Sequence, residues 1–95
     1  MIKKKVTVTN PSGLHARPAS ALVRKASDFK SEFHIHMYGY RINAKSILGV
    51  MTLAAEFGAE LELEFDGPDE KEAMDAIVKL FEDNFHESEN GQQNS

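Results

Sequence analysis

The segment Gly13-Leu14-His15-Ala16-Arg17-Pro18-Ala19 places an imidazole where a turn passes into a helix. The first turn of a helix has backbone N–H groups without intrahelical acceptors and carries a partial positive charge. It is therefore a ready-made anion site. Pro18 belongs there, because its missing N–H would have had no partner. Arg17 adds a planar, permanently charged fork suited to phosphate oxygens, and Ser12, in the preceding turn, adds a hydroxyl. These positive surroundings disfavour the imidazolium and leave a ring lone pair to attack phosphorus. A phosphoryl group on that nitrogen would rest against Arg17 and the backbone amides that begin at Ala16. No second acid or base stands nearby in sequence to activate water. The chemistry that follows is reversible phosphoryl storage, and the plainer alternative is a histidine that only caps or packs at the helix start.

A second helix start carries a hydroxyl. In Lys45-Ser46-Ile47-Leu48-Gly49, Ser46 fits an N-cap that satisfies backbone amides. It also fits a phosphorylation switch, because a phosphate at an N-cap agrees with the helix dipole and adds charge without unfolding the helix. The helix it opens has too many apolar residues for one face. Val50 and Leu53 suit the core, which leaves Ile47, Leu48 and Met51 to line an exposed docking patch, or, in the plainer reading, to fill the core as well.

Several elements must hold these two helix starts in place. Val6 and Val8 alternate with Thr7 and Thr9, a short strand ended by the turn cluster Asn10-Pro11-Ser12-Gly13. Ala19, Leu22, Val23, Ala26 and Phe29 form a helical stripe. Phe33, Ile35 and Met37 alternate with His34 and His36, a turn follows around Gly39, and a short strand returns from Arg41 to Ala44. After the Ser46 helix, Leu61, Leu63 and Phe65 alternate with Glu60, Glu62 and Glu64. Asp69 then reads as the cap of a helix through about Asn84, with Glu72 completing a capping box. The order βαββαβα, with strands apolar on one side only, predicts an α/β two-layer open-faced sandwich with an antiparallel sheet and all helices on one face. Residues 1–85 form the expected domain, and the polar segment 86–95 reads as a disordered tail.

Composition narrows the function classes. The chain has 95 residues and a formal net charge of −4, with no cysteine for a disulfide or thiolate metal site and no apolar run of membrane length. The expected address is the cytoplasm. Residues 1–47 carry nine basic and two acidic residues, net +7, whereas residues 48–95 carry two basic and thirteen acidic, net −11. The basic residues are scattered and no aromatic stacking platform accompanies them, which argues against nucleic-acid binding. His34 and His36 share a strand face that could suggest a metal, but pairing with the glutamates of a neighbouring strand is the simpler reading, and no metal or cofactor is expected.

The runs Gly13–Ala19 and Asn43–Met51 resemble those of the HPr family, the histidine-containing phosphocarriers of the bacterial phosphoenolpyruvate:sugar phosphotransferase system. The resemblance spans residues 2 to about 85. It implies a sheet order of 1-4-2-3. It implies that His15 is phosphorylated on Nδ1 by Enzyme I, with Arg17 as its motif partner, and passes the group to sugar-permease enzyme II A domains. Ser46 resembles the serine modified by HPr kinase/phosphorylase in Gram-positive-type proteins, where the modified form serves a catabolite-control transcription regulator. Leu48 departs mildly from that branch, which usually has Met. Partner docking is expected from Ala16, Ser20, Arg24, Lys45, Ile47, Leu48 and Met51, on a small monomeric shuttle rather than a multiple-turnover enzyme. A regulator-type relative acting through Ser46, and a nitrogen-pathway paralogue, are the alternatives.

Overall fold

The computed structural model describes residues 1–86. Strands β1 (Ile2–Thr7), β2 (Glu32–Met37), β3 (Tyr40–Asn43) and β4 (Glu60–Asp66) form one sheet in the order β1-β4-β2-β3, every pair antiparallel. Helices α1 (Ala16–Ala26), α2 (Ile47–Leu53) and α3 (Glu70–Glu82) complete the expected βαββαβα sandwich, and a 3-10 turn (Asn84–His86) follows. No described helix is long and apolar enough to cross a membrane.

The alternation read from sequence sets the two sheet faces. Phe33, Ile35, Leu61, Leu63 and Phe65 are buried against Leu22, Val50, Ile77 and Phe81 of the helices. Phe33 and Phe65, directly opposite in register, stack with ring centroids 4.5 Å apart. Between β2 and β3, Tyr38 and Gly39 both take positive φ (53° and 83°), the backbone a two-residue hairpin turn requires.

Three details depart from the sequence reading. β1 begins at Ile2 rather than at Val6, because Lys3 and Lys5 lie opposite Glu64 and Glu62 of β4 and extend the ladder. The α-helical part of α3 ends at Glu82, and left-handed Asn84 and Phe85 turn the chain so that Phe85 packs edge-on against Phe81 at 4.9 Å. His86 therefore belongs to the 3-10 turn, and the remainder of the expected tail, 87–95, lies outside the described residues. Asp69 sits at the N-cap of α3 but makes no side-chain cap bond there. Its carboxylate instead accepts from the backbone N–H groups of Lys30 and Ser31 and from the Ser31 hydroxyl (2.8, 2.9 and 2.6 Å), tying the end of α1 to the start of α3. The capping-box partner is not Glu72, and Gly67 N–H donates instead to Glu70 (3.1 Å).

The open face holds a second correction. Glu64 was expected to be solvated, but only 5% of it is exposed. Arg41 donates to it at 3.1 Å and His36 Nε2 lies 2.6 Å from it. In register His36 faces Glu62, so the contact to Glu64 is diagonal. His36 is thus paired with Glu64, and His34 Nδ1 lies 3.4 Å from Arg41 Nη2; no cluster of three or more metal-ligating side chains occurs among the described residues.

Both networks act on acid stability. Hydrogen bonds from Arg41 and then His36 hold the Glu64 carboxyl down to about 2, and those from Ser31 and Lys30 hold Asp69 to about 2. A carboxylate depressed on folding stabilises the fold above its unfolded pKa, near 4, and loses that contribution as pH falls toward about 2. Thermal midpoints at about pH 5 and pH 2 should therefore differ less in Glu64→Gln and Asp69→Asn than in the parent. Parallel midpoints in all three proteins would contradict this assignment.

Candidate functional site

The loop between β1 and α1 is built by a turn. Gly13 N–H donates to the Asn10 carbonyl at 3.0 Å, with Asn first, Pro11 second and Gly fourth, the composition a type I turn favours. Gly13 then takes φ +74°, and a Cβ there would lie 2.5 Å from the Ala55 carbonyl oxygen. Two conditions thus require glycine, a left-handed backbone and a close approach to the α2–β4 connection. Leu14 follows, buried, with its N–H donating to the same Ala55 oxygen at 2.8 Å.

His15 emerges from this anchored stretch. It is the N-cap of α1, with extended backbone (φ −83°, ψ −163°), and its carbonyl accepts the first helical bond from Ala19 N–H at 2.9 Å. The imidazole does not cap the helix, and His15, Ala16 and Arg17 are all exposed. By helix geometry the N–H groups of Ala16 and Arg17 have no intrahelical acceptor, and Pro18 brings none. The buried side of α1 is Pro18, Ala19, Leu22 and Ala26. Ala16, Ser20 and Arg24 recur every fourth residue on the other side, with Ser20 half-buried and Arg24 exposed.

A shallow groove of about 280 Å³ connects His15 to α2. Ser12, Leu14 and His15 form one wall, and Met51 and residues 54–56 the other. A larger hollow of about 470 Å³, walled by Tyr38 and Phe57, adjoins it across the same residues 54–56. No histidine lines it, so size does not mark the chemistry here. The residues at 54–56 had no signal in the sequence. Ala54 ends α2 in the left-handed conformation (φ 51°, ψ 40°), which directs the chain back under Gly13.

The second helix start is intact. Ser46 has extended backbone, and its Oγ accepts from Gly49 N–H at 3.1 Å. Val50 and Leu53 are buried, whereas Leu48 is 77% exposed and Ile47 and Met51 are 43% and 42% exposed. These three form an apolar surface that continues from the His15 groove through Met51. Lys45 does not rim it freely, because its ammonium donates to the Phe29 carbonyl at 2.8 Å, tying the Ser46 segment to the end of α1.

An exposed histidine opens a helix of an open-faced βαββαβα sandwich, and fold and site together point to one class of small proteins. The family described as "PTS HPr component phosphorylation site" matches residues 2–83. The phosphocarrier protein HPr of Treponema pallidum is 49% identical over 87 residues, covering 92% of this chain and 99% of that protein. That of Cupriavidus necator is 45% identical over 89 residues, covering 94% and 100%. A crystal structure of HPr from Thermoanaerobacter tengcongensis superposes with a TM-score of 0.88 at 40% identity, over 90% of this chain and 97% of that one. The chain belongs to the HPr family of phosphocarrier proteins. The HPr-like protein Crh of Halalkalibacterium halodurans, 44% identical over 82 residues (86% of this chain, 98% of that protein), is a further relative.

The contact at Gly13 leads to a stability prediction. Gly13→Ala should destabilise the protein by about 1–2 kcal/mol from the left-handed backbone alone, and by more once the Ala55 contact is forced apart. Ser46→Ala should cost about 1 kcal/mol, the usual worth of an N-cap. Urea unfolding of both variants, with Gly13→Ala the more damaged, is the check. The reverse order would contradict the packing described.

Proposed function

We propose that this protein accepts a phosphoryl group from phospho-Enzyme I on His15 and passes it to the A domains of sugar-specific enzyme II permeases, acting as a cytoplasmic monomer. The observation that carries the reading is the exposure of His15 at the N-cap of α1, next to the Ala16 and Arg17 amides of the first turn. On loading, the ring nitrogen forms an N–P bond as the donor's bond to phosphorus breaks, and on delivery that N–P bond breaks as the acceptor's bond to phosphorus forms. The amides and Arg17 stabilise the oxygens of the bound phosphoryl group, with Ser12 on the same wall of the groove. The exposed Ile47, Leu48 and Met51 supply the adjoining docking surface, with Ala16, Ser20 and Arg24 on the outer side of α1.

A second layer is regulatory phosphorylation of Ser46 by HPr kinase/phosphorylase, with the modified form read by a catabolite-control transcription regulator. Its support is the position of Oγ at the start of α2, next to Ile47 and Leu48. A phosphate there would sit at the positive end of the helix and place charge beside the apolar patch. The reading as a regulator acting mainly through Ser46 is weakened by His15, which such a role would not require. A nitrogen-pathway role uses the same chemistry with other acceptors.

Phosphoenolpyruvate and Enzyme I should label the parent protein and leave His15→Ala unlabelled. The label should be lost in acid, as a phosphoramidate is, whereas one added to Ser46 by a kinase should survive. Ser46→Asp should slow transfer from Enzyme I about tenfold with the fold intact. Undiminished labelling of His15→Ala would overturn the carrier reading, and an unchanged rate for Ser46→Asp would overturn the switch.

A further inference from the structure

We infer that Asn10 is the positioning residue for His15, a role that rests on the reading of His15 as the phosphoryl acceptor. Asn10 is 1% exposed, one of three buried polar or charged residues among those described. Its side-chain amide donates to the Gly13 carbonyl at 2.6 Å. Because that partner is a carbonyl oxygen, the group facing it is the amide nitrogen, and the orientation of the side chain is fixed by chemistry.

The consequence lies in the peptide unit that joins Gly13 to Leu14. Its oxygen is held by the Asn10 amide (2.6 Å) and its nitrogen by the Ala55 carbonyl (2.8 Å). A peptide plane pinned at both polar atoms cannot rotate about its flanking bonds. On its far side, Leu14 is buried and the His15 carbonyl is committed to Ala19 N–H. The imidazole therefore projects from a backbone bracketed on both sides, while the ring itself remains exposed. Without the Asn10 amide, the Gly13 carbonyl would be buried with half its clamp gone. The peptide could then flip, carrying Leu14 and the first turn of α1 with it. Ser12, Leu14, Met51 and residues 54–56 line the groove with His15. Asn10 is the part of the clamp that a single side chain supplies.

The test uses a small donor, so that docking of a partner protein does not enter. With phosphoramidate, a P–N bond breaks, ammonia leaves and the ring nitrogen of His15 takes the phosphoryl group. The variants are Asn10→Ala and Asn10→Asp, the second keeping the shape while replacing the donor with an oxygen. Ser31→Ala, which loses its bond to Asp69 at the opposite end of α1, serves as the control for loss of stability alone. Both Asn10 variants should lose about tenfold or more in the phosphorylation rate of His15, the scale expected when a reacting group is misplaced, and Ser31→Ala should not. The ring signals of His15 in NMR spectra should move in the Asn10 variants and stay in place in the control. Rates within about twofold of the parent in folded Asn10 variants would overturn the inference, as would an equal loss in Ser31→Ala. If Asn10→Ala fails to fold, Asn10→Asp gives the answer alone. Failure of Enzyme I to label the parent would overturn the carrier reading, and the phosphoramidate rates would still report whether Asn10 positions the ring.

Discussion

The rest of the site depends on the contact between the backbone at Gly13 and the carbonyl of Ala55. There the loop before α1 and the connection after α2 approach closer than any side chain would permit, a Cβ at Gly13 falling 2.5 Å from that oxygen. The contact fixes the start of α1 relative to the end of α2. It thereby brings the imidazole of His15 and the apolar surface of α2 to opposite walls of one groove. A carrier must expose its reactive group, and exposure ordinarily means mobility. Here the exposed ring stands on backbone whose polar atoms are already committed, so access does not require disorder beneath it.

Much of this was legible in the sequence, for identifiable reasons. Helical spacing separated Val50 and Leu53 from Ile47, Leu48 and Met51, because position along a helix dictates direction. Strand alternation placed the core on one sheet face for the same reason. What sequence could not show were contacts formed by long side chains that reach across the fold. Asp69 has the composition and place of a helix cap, yet its carboxylate finds better donors at Lys30 and Ser31. Lys45 adjoins the patch in sequence but turns to the Phe29 carbonyl. Glu64 keeps the period of a solvated residue, and is covered because Arg41 and His36 fold over it. Ala54 and Ala55 had no chemical signature at all, since their part in the site is played by backbone.

The charge asymmetry also takes on a different meaning. The basic first half is not a single positive surface. Lys3 and Lys5 lie opposite glutamates of β4, Arg41 is bound to Glu64, and Lys45 is engaged by a carbonyl. Arg17 and Arg24 are exposed on α1. The local field at the site thus comes from a few side chains and the helix start, and the formal +7 of residues 1–47 overstates it.

The mosaic of alternating signs on the open side of the sheet bears on how collisions are sorted. On β1 and β4, Lys5 lies opposite Glu62 and Lys3 opposite Glu64, so opposite charges stand side by side there. A macromolecule meeting this side finds neither a long-range attraction nor an oily surface to hold it, and departs quickly. One meeting the α1–α2 side finds both. Under the role proposed for His15, a surface of this kind shortens the lifetime of misoriented encounters.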